Sequence, residues 1–283
     1  MSAVTARLKD ISLTNFNFVK STLQFTTASA LCIAALAAPI SAQDDKSHLV
    51  PLTPEMLGTT QSWLHDGEKA IADRVAHKPN TKRAKNVILF VGDGMGVSTL
   101  TAARILEGQL RGKPGEENYL SFEKFPNTAL VKTYNVDAQV ADSAGTATAL
   151  NTGVKTRIGV INTGPGNIQS DCSAVPDNTL TPLAAYAEQA GMSTGVVSTA
   201  RLTHATPAAV YAVSPFRDWE NDTDLPENAE ACTDIAAQIL NPLNGDGLEV
   251  ALGGGRRNFQ PEGIDGGRRK DGRNLTEEWK ASR

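Results

Sequence analysis

Apolar and polar positions along the chain alternate between two rhythms. Asn86-Val-Ile-Leu-Phe-Val91 is a short apolar run ending in Gly92-Asp93-Gly94-Met95-Gly96, the pattern of a buried strand and a tight loop. Ser98 to Leu110 has helical apolar spacing, and Leu130 to Val136 alternates as a strand does. Ser143 to Leu150 is small and Ala-rich, a helix with Asp142 or Ser143 as its cap and Gly153 as its stop. Further on, the pattern predicts a helix over Leu180–Ala190, a strand over Ser193–Thr199 and a helix over Pro226–Leu240. A strand over Leu248–Leu252 follows, ending in Gly253-Gly254-Gly255. Thr206-Pro207 reads as a cap and a proline at the first helical position, opening a helix towards Val213. Asn274 to Lys280 starts one more helix, with little of its own length for Trp279 to pack on. Strands alternating with helices predict an α/β fold: a mainly parallel central sheet with helices on both faces. Functional side chains then belong in the loops that follow the strands.

The start of the chain follows neither rhythm. Arg7, Lys9 and Lys20 precede an uncharged run of small and apolar residues, Leu23 to Ala38, and then Ser41-Ala42 before Gln43 and Asp44. Residues 1–42 have the order of a secretory signal peptide, with an uncleaved anchor as the alternative. The run is thin for a bilayer span, which needs roughly 20 residues. No span remains after cleavage, and the protein is expected to be exported, to the periplasm or outside the cell. Residues 43–84 form a polar arm with a helix near Pro54–Ala76. Residues 85–283 carry the main domain. Two cysteines lie beyond the signal, Cys172 and Cys232. In an oxidising compartment such a pair is expected to be a disulfide; two free thiols are the alternative if the export reading fails. Lys and Arg number 27 against 31 Asp and Glu, and this mild acidity excludes a nucleic-acid binder held by general charge.

Four stretches carry candidate chemistry. A glycine-rich loop after a strand suits phosphate, but Asp93 in its middle repels phosphate unless a cation lies between them, so Asp93 reads as a metal ligand or as a turn carboxylate. Ser143 at a helix start lies beside free N–H groups, where an alkoxide or oxyanion is stabilised, although an ordinary cap looks the same. Its small neighbours Ala144, Gly145 and Ala147 are expected to leave room for a ligand over the helix end. His204 and Thr206 follow a strand and precede a helix, on the same sheet edge as Asp93; a structural histidine and a simple cap are the plain alternatives. Arg217, between Phe216 and Asp218-Trp219, can fork two oxygens of a phosphate or form a surface pair with Asp218.

Taken in order, Val91-Gly-Asp-Gly-Met-Gly96, Asp142-Ser143-Ala144, His204-Ala-Thr-Pro207, Arg217-Asp-Trp219 and Leu252-Gly-Gly-Gly-Arg256 resemble the alkaline phosphatases, in the branch that includes the animal enzymes. The resemblance runs from near Lys85 to the end of the chain. It implies that Ser143 is a nucleophile that becomes phosphoserine, with its oxygen on zinc, and that Asp93 bridges one zinc and the magnesium. Thr206 is similar to the hydroxyl ligand of the magnesium, His204 to its neighbouring or water-mediated contact, and Arg217 to the guanidinium that clamps the phosphate. Two Zn2+ and one Mg2+, phosphomonoester substrates, a homodimer and a Cys172–Cys232 disulfide are implied in the same way.

Most zinc ligands of that family lie beyond the point matching Arg283, and His48, His65 and His77 match no ligand position. The chain is therefore expected to be a shortened member of the family, with its C-terminal part missing, poor in zinc and slow in turnover. Two rivals stand beside it. Ala141-Asp-Ser143-Ala-Gly145 is a near miss to the nucleophile elbow of a metal-independent serine esterase, with Asp171 and His204 following in the right order. The other rival is an inert or phosphate-binding secreted fragment.

Overall fold

A computed structural model describes residues 53, 58–229, 231–241 and 243–282. The proposed signal peptide at 1–42 lies outside these residues. Everything described belongs to one compact unit, Leu52–Arg283. Helix α1 (Thr60–Ala76) is capped by Thr59, whose side chain accepts from Ser62 N at 3.1 Å, and none of its residues is buried. Helix α2 spans Val97–Leu110, and α3 spans Ser143–Thr152. They are followed by α4 (Val175–Asn178), α5 (Leu183–Gln189), strand β1 (Gly195–Arg201), α6 (Ala205–Ala208), strand β2 (Val250–Gly254) and α7 (Leu275–Ala281). Among the described residues no helix is long and apolar enough to cross a membrane.

The fold is α/β. β1 and β2 pair in parallel, Val196 opposite Ala251 and Val197 opposite Leu252. Parallel neighbours cannot be joined by a hairpin, so the chain between them runs through α6 and a long irregular crossover. Val196 turns inward to a core of Ala144, Ala147, Ile161, Ala205, Tyr211 and Ile235. α3 packs against α6 and α5, and α6 against β1. Alanines at these contacts let the helices approach closely. Trp279 has a platform after all: it packs on the main core, and Leu275 beside it is fully buried. Arg269, 1% exposed, ties the tail down by ion pairs to Asp234 at 2.9 Å and to Asp271.

Several expected elements differ. Residues 86–91 and 130–136 form no strand; apart from an isolated bridge between Asn135 and Ala138, they find no ladder partner among the described residues. Phe90 is 87% and Leu130 99% exposed. Alternation states which side of a strand would be buried, but a ladder needs a second strand to complete it. The helix expected over Pro226–Leu240 shrinks to one 3₁₀ turn, Ala237–Leu240. Cys232 is drawn into a disulfide with Cys172, and Asp234 Oδ1 accepts from Ala237 N at 2.9 Å, starting the turn late. α6 begins at Ala205 with His204 at its cap, two residues before the expected start, so Thr206 lies inside the helix and is no cap.

Candidate active site

The site is built where β1 and the loops beside it end. Asp142 caps α3, accepting from Gly145 N at 3.0 Å. The same carboxylate accepts from Asn135 Nδ2 at 2.9 Å, from Gly159 N at 3.1 Å and from Arg217 Nη1 at 3.0 Å. Burial raises the Asp142 pKa, but the Gly145 N–H, the Asn135 amide and the Arg217 guanidinium outweigh it and hold the group below its usual range. Asp142 is thus a fixed anion at the start of α3, and Ser143 is the first residue of that helix, half-buried. Its neighbours are small where α3 packs inward. Ala144, Gly145 and Ala147 face inward, and a Cβ on Gly145 would lie 2.6 Å from Asn135 Oδ1. They serve the packing of α3.

Arg217 joins this helix to the second loop. Its backbone N–H donates to Gly159 O at 2.8 Å, and its Nη2 lies 3.2 Å from His204 Nε2. A guanidinium can only donate, so Nε2 accepts and a neutral His204 carries its proton on Nδ1. That Nδ1 is buried with no hydrogen-bond partner and lies 3.7 Å from Asp93 Oδ2. Burial first, and then the charge of Arg217, lowers the His204 pKa against the opposing pull of Asp93. Two residues on, the Thr206 hydroxyl donates to Asp93 Oδ2 at 2.9 Å. Thr206 is available for this because it does not cap α6.

The sequence-predicted residues therefore form one chain of contacts: Asp93 with Thr206 and His204, His204 with Arg217, Arg217 with Asp142, and Asp142 next to Ser143. The predicted Arg217–Asp218 pair is the looser contact, at 3.9 Å. The disulfide supports Arg217 from behind. Cys172 and Cys232 pack with Trp219 and Phe216, whose rings meet edge to face at 5.9 Å. The esterase arrangement is not formed: the side chain of Asp171 accepts from Ser173 N and Oγ in a local turn, and His204 turns to Arg217 and Asp93.

Two features were not anticipated. Glu220 receives two bonds from Arg201 Nε, at 2.8 and 3.1 Å, and one from Arg201 Nη2 at 2.6 Å. It also accepts from Thr203 Oγ1 at 2.5 Å and Asn258 Nδ2 at 2.9 Å. This knot binds the loop after β1, the Arg217 loop and the turn after β2; the sequence signal was only an acidic residue three places after Arg217. The second feature is a group of Glu188, Asp246 and Glu249, with ligand atoms within 4.8 Å of one another. It lies by Thr194, at the amino ends of the strands, away from the edge that carries Thr206. Among the described residues it is the group of three His, Cys, Asp or Glu able to converge on one ion; no such group surrounds Asp93.

The family model for alkaline phosphatase matches residues 84–283. An alkaline phosphatase of Gadus morhua is 47% identical over 239 residues, 80% of this chain and 50% of that relative. The tissue-nonspecific isozyme of Homo sapiens is 42% identical over 243 residues, 81% of this chain and 46% of the relative. Among solved structures, the alkaline phosphatase of Thermus thermophilus aligns with a TM-score of 0.51 at 30% identity, covering 71% of this chain and 36% of that one. The chain spans about half the length of the curated relatives it matches. By its sequence match over residues 84–283, the chain belongs to the alkaline phosphatase family.

Proposed function

We propose that this chain carries the nucleophile and the phosphate clamp of a phosphomonoester hydrolase, with Ser143 attacking phosphorus. The single observation that carries the reading is Arg217, held between the cap of the Ser143 helix and the loop of His204 and Thr206. A guanidinium has five donors, and two are engaged by Asp142 and His204, which leaves hydrogens on both Nη atoms for two phosphoryl oxygens. Ser143 Oγ forms a bond to phosphorus as the ester P–O bond breaks, and the alcohol leaves with a proton. Water then cleaves the phosphoserine, releasing phosphate and restoring the hydroxyl. Arg217 opposes the charge on the transferred group, the main task protein has in such a reaction.

The donors at Asp93 suit a magnesium ion: a carboxylate and a hydroxyl are hard oxygen ligands, and His204 Nδ1 is near enough for contact through water. When bound there, such an ion would supply positive charge to the phosphate site. A zinc pair does not fit the described residues, because a catalytic zinc takes about three protein ligands and Asp93 has no such company. Export by residues 1–42 and pairing into a homodimer belong to the same proposal, the first from the residue pattern and the second from the family.

Incubation with labelled phosphate at acid pH tests the reading. The expected result is phosphoserine at Ser143, lost in Ser143→Ala and in Arg217→Ala. Label that survives Ser143→Ala, or hydrolysis of p-nitrophenyl phosphate that persists in that variant, refutes it. Turnover by this chain alone is expected to be low even with added zinc and magnesium.

A further inference from the structure

The Gly253-Gly254-Gly255-Arg256 stretch has no role in the reading above, yet it shapes the carboxyl ends of both strands. Leu202 N donates to Gly254 O at 3.1 Å, and a Cβ on Gly253 would lie 2.9 Å from the Leu202 side chain. Gly255 has φ of +83°, and a Cβ there would lie 2.8 Å from Arg201 Cβ. Only glycine permits both the turn and the close approach. The consequence is that Arg201, ending β1, stands beside Arg256 and Arg257, which follow β2. With Gly255 these three arginines line an open cavity of about 350 Å³.

The charge in this cavity is only partly neutralised: Arg201 and Arg256 each have a carboxylate partner, Arg257 has none among the described residues. Arg201 spends Nε and Nη2 on Glu220, and its Nη1 makes no hydrogen bond to a described residue. Arg256 lies 2.9 Å from Asp265, both side chains being well exposed, which makes the pair weak and exchangeable. Arg257 is exposed and has no carboxylate at ion-pair distance among the described residues. The exposed Arg257 guanidinium, with Arg201 Nη1 and the exchangeable Arg256 beside it in an open pocket, matches the oxygens of a phosphate better than any neutral ligand. None of the residues assigned to phosphoryl transfer lines it.

We propose that Arg201, Arg256 and Arg257 form a second oxyanion subsite, which takes a phosphate-class anion. The anion is either free inorganic phosphate or a second anionic group on a phosphoester held at Arg217. The proposal does not need Ser143 to be the nucleophile, so it is tested apart from that reading.

The experiment is equilibrium dialysis of labelled inorganic phosphate against the metal-free full chain carrying Arg217→Ala. The expected result is retained binding that weakens about tenfold on adding Arg257→Gln or Arg256→Gln, the scale of one lost charged hydrogen bond. Arg268→Gln, an exposed charge outside the cavity, is expected to leave it unchanged. No binding by the Arg217→Ala chain, binding left undiminished by both cavity substitutions, or an equal loss with Arg268→Gln overturns the subsite. Methylene diphosphonate on the otherwise unaltered chain separates the sources. Weakening by both Arg217→Ala and Arg257→Gln identifies a substrate's second anion, and weakening by Arg257→Gln alone identifies a free oxyanion. Indifference to Arg257→Gln again overturns it.

Discussion

Arg217 Nη1 lies 3.0 Å from Asp142 Oδ2, across 75 residues of chain, and Asp142 is the residue that caps the helix starting at Ser143. One carboxylate thus sets both the start of the Ser143 helix and the Arg217 guanidinium proposed to clamp the phosphate. Asp142→Ala removes the cap and leaves Arg217 half-buried with only the looser Asp218 contact, at 3.9 Å, for a counter-charge. A loss of about 2 kcal/mol is expected, the upper range for a cap. Urea unfolding of the variant against the parent measures it; a midpoint unchanged at equal slope would show that Asp142 is not a structural anchor.

Thr206 donates to Asp93 at 2.9 Å from inside α6, where its hydroxyl is not needed to cap the helix. Thr206→Val keeps the shape and removes the oxygen. Binding of Mn2+, used as a spectroscopic probe for magnesium, is expected to fall about tenfold, while Thr206→Ser retains it. Equal Mn2+ titrations by electron paramagnetic resonance for the Val and Ser variants would remove Thr206 from the proposed cation site.

Glu220 predicts an acid-sensitive element. Burial raises its pKa, but the bonds from Arg201 and Thr203 and the nearby charges hold it below the usual range. A folded-state pKa below the unfolded one means that the native chain binds fewer protons. The stabilisation is therefore complete above the unfolded pKa of about 4.3 and is lost as pH falls through the folded value. The stability difference between the parent and Glu220→Gln should shrink as urea midpoints are followed from neutral pH to pH 3. A difference that stays constant would mean that the charge of Glu220 has no part in holding the loops.

The order of the motifs was legible in the sequence because a glycine-rich loop, a helix start and the end of a strand each leave a local signal. His204 and Thr206 follow β1 and begin α6, whereas Asp93 lies ahead of α2 and Ser143 starts α3 with no strand before either among the described residues; α3, α5, β1, β2 and α7 appear within a few residues of their expected bounds. Distance was not legible. Nothing in Phe216-Arg217-Asp218 tells that Arg217 reaches Asp142 at 3.0 Å and Asp218 only at 3.9 Å, because that choice is made by the Gly159 carbonyl and the disulfide behind it. The same limit explains residues 86–91, where apolar periodicity shows the wish for burial but no partner. It also explains Gly145, whose smallness is imposed by Asn135, ten residues earlier.

The disulfide offers a separable test of loop support. Cys172 and Cys232 close a 60-residue span, so their removal is expected to cost about 4 kcal/mol on the chain-entropy account. Because Trp219 and Phe216 pack on the pair, the loss should be local as well as global. Hydrogen exchange of the Cys172→Ser, Cys232→Ser chain is expected to rise at 216–219 more than in α7. Uniform acceleration across the chain would mean that the bridge stabilises only the whole fold and does not stiffen the Arg217 loop.

Gly145 bears on whether the start of α3 can tolerate any bulk. An added Cβ would meet Asn135 Oδ1 at 2.6 Å and Arg157 O at 2.9 Å, one of them a backbone atom that cannot swing away. Asn135 also donates to Asp142, so pushing it aside loosens the cap and, through it, Arg217. Gly145→Ala is expected to lose about 1–3 kcal/mol, against the gain in helix propensity that alanine normally brings. A second change distinguishes clash from cap: Asn135→Ala in the same chain removes the atom in the way and should recover part of the loss, a coupling read from the double-mutant cycle of urea midpoints. If Gly145→Ala alone were neutral or stabilising, the start of α3 would be looser than these contacts require, and the tight linkage from Asn135 through Asp142 to Arg217 would have to be given up.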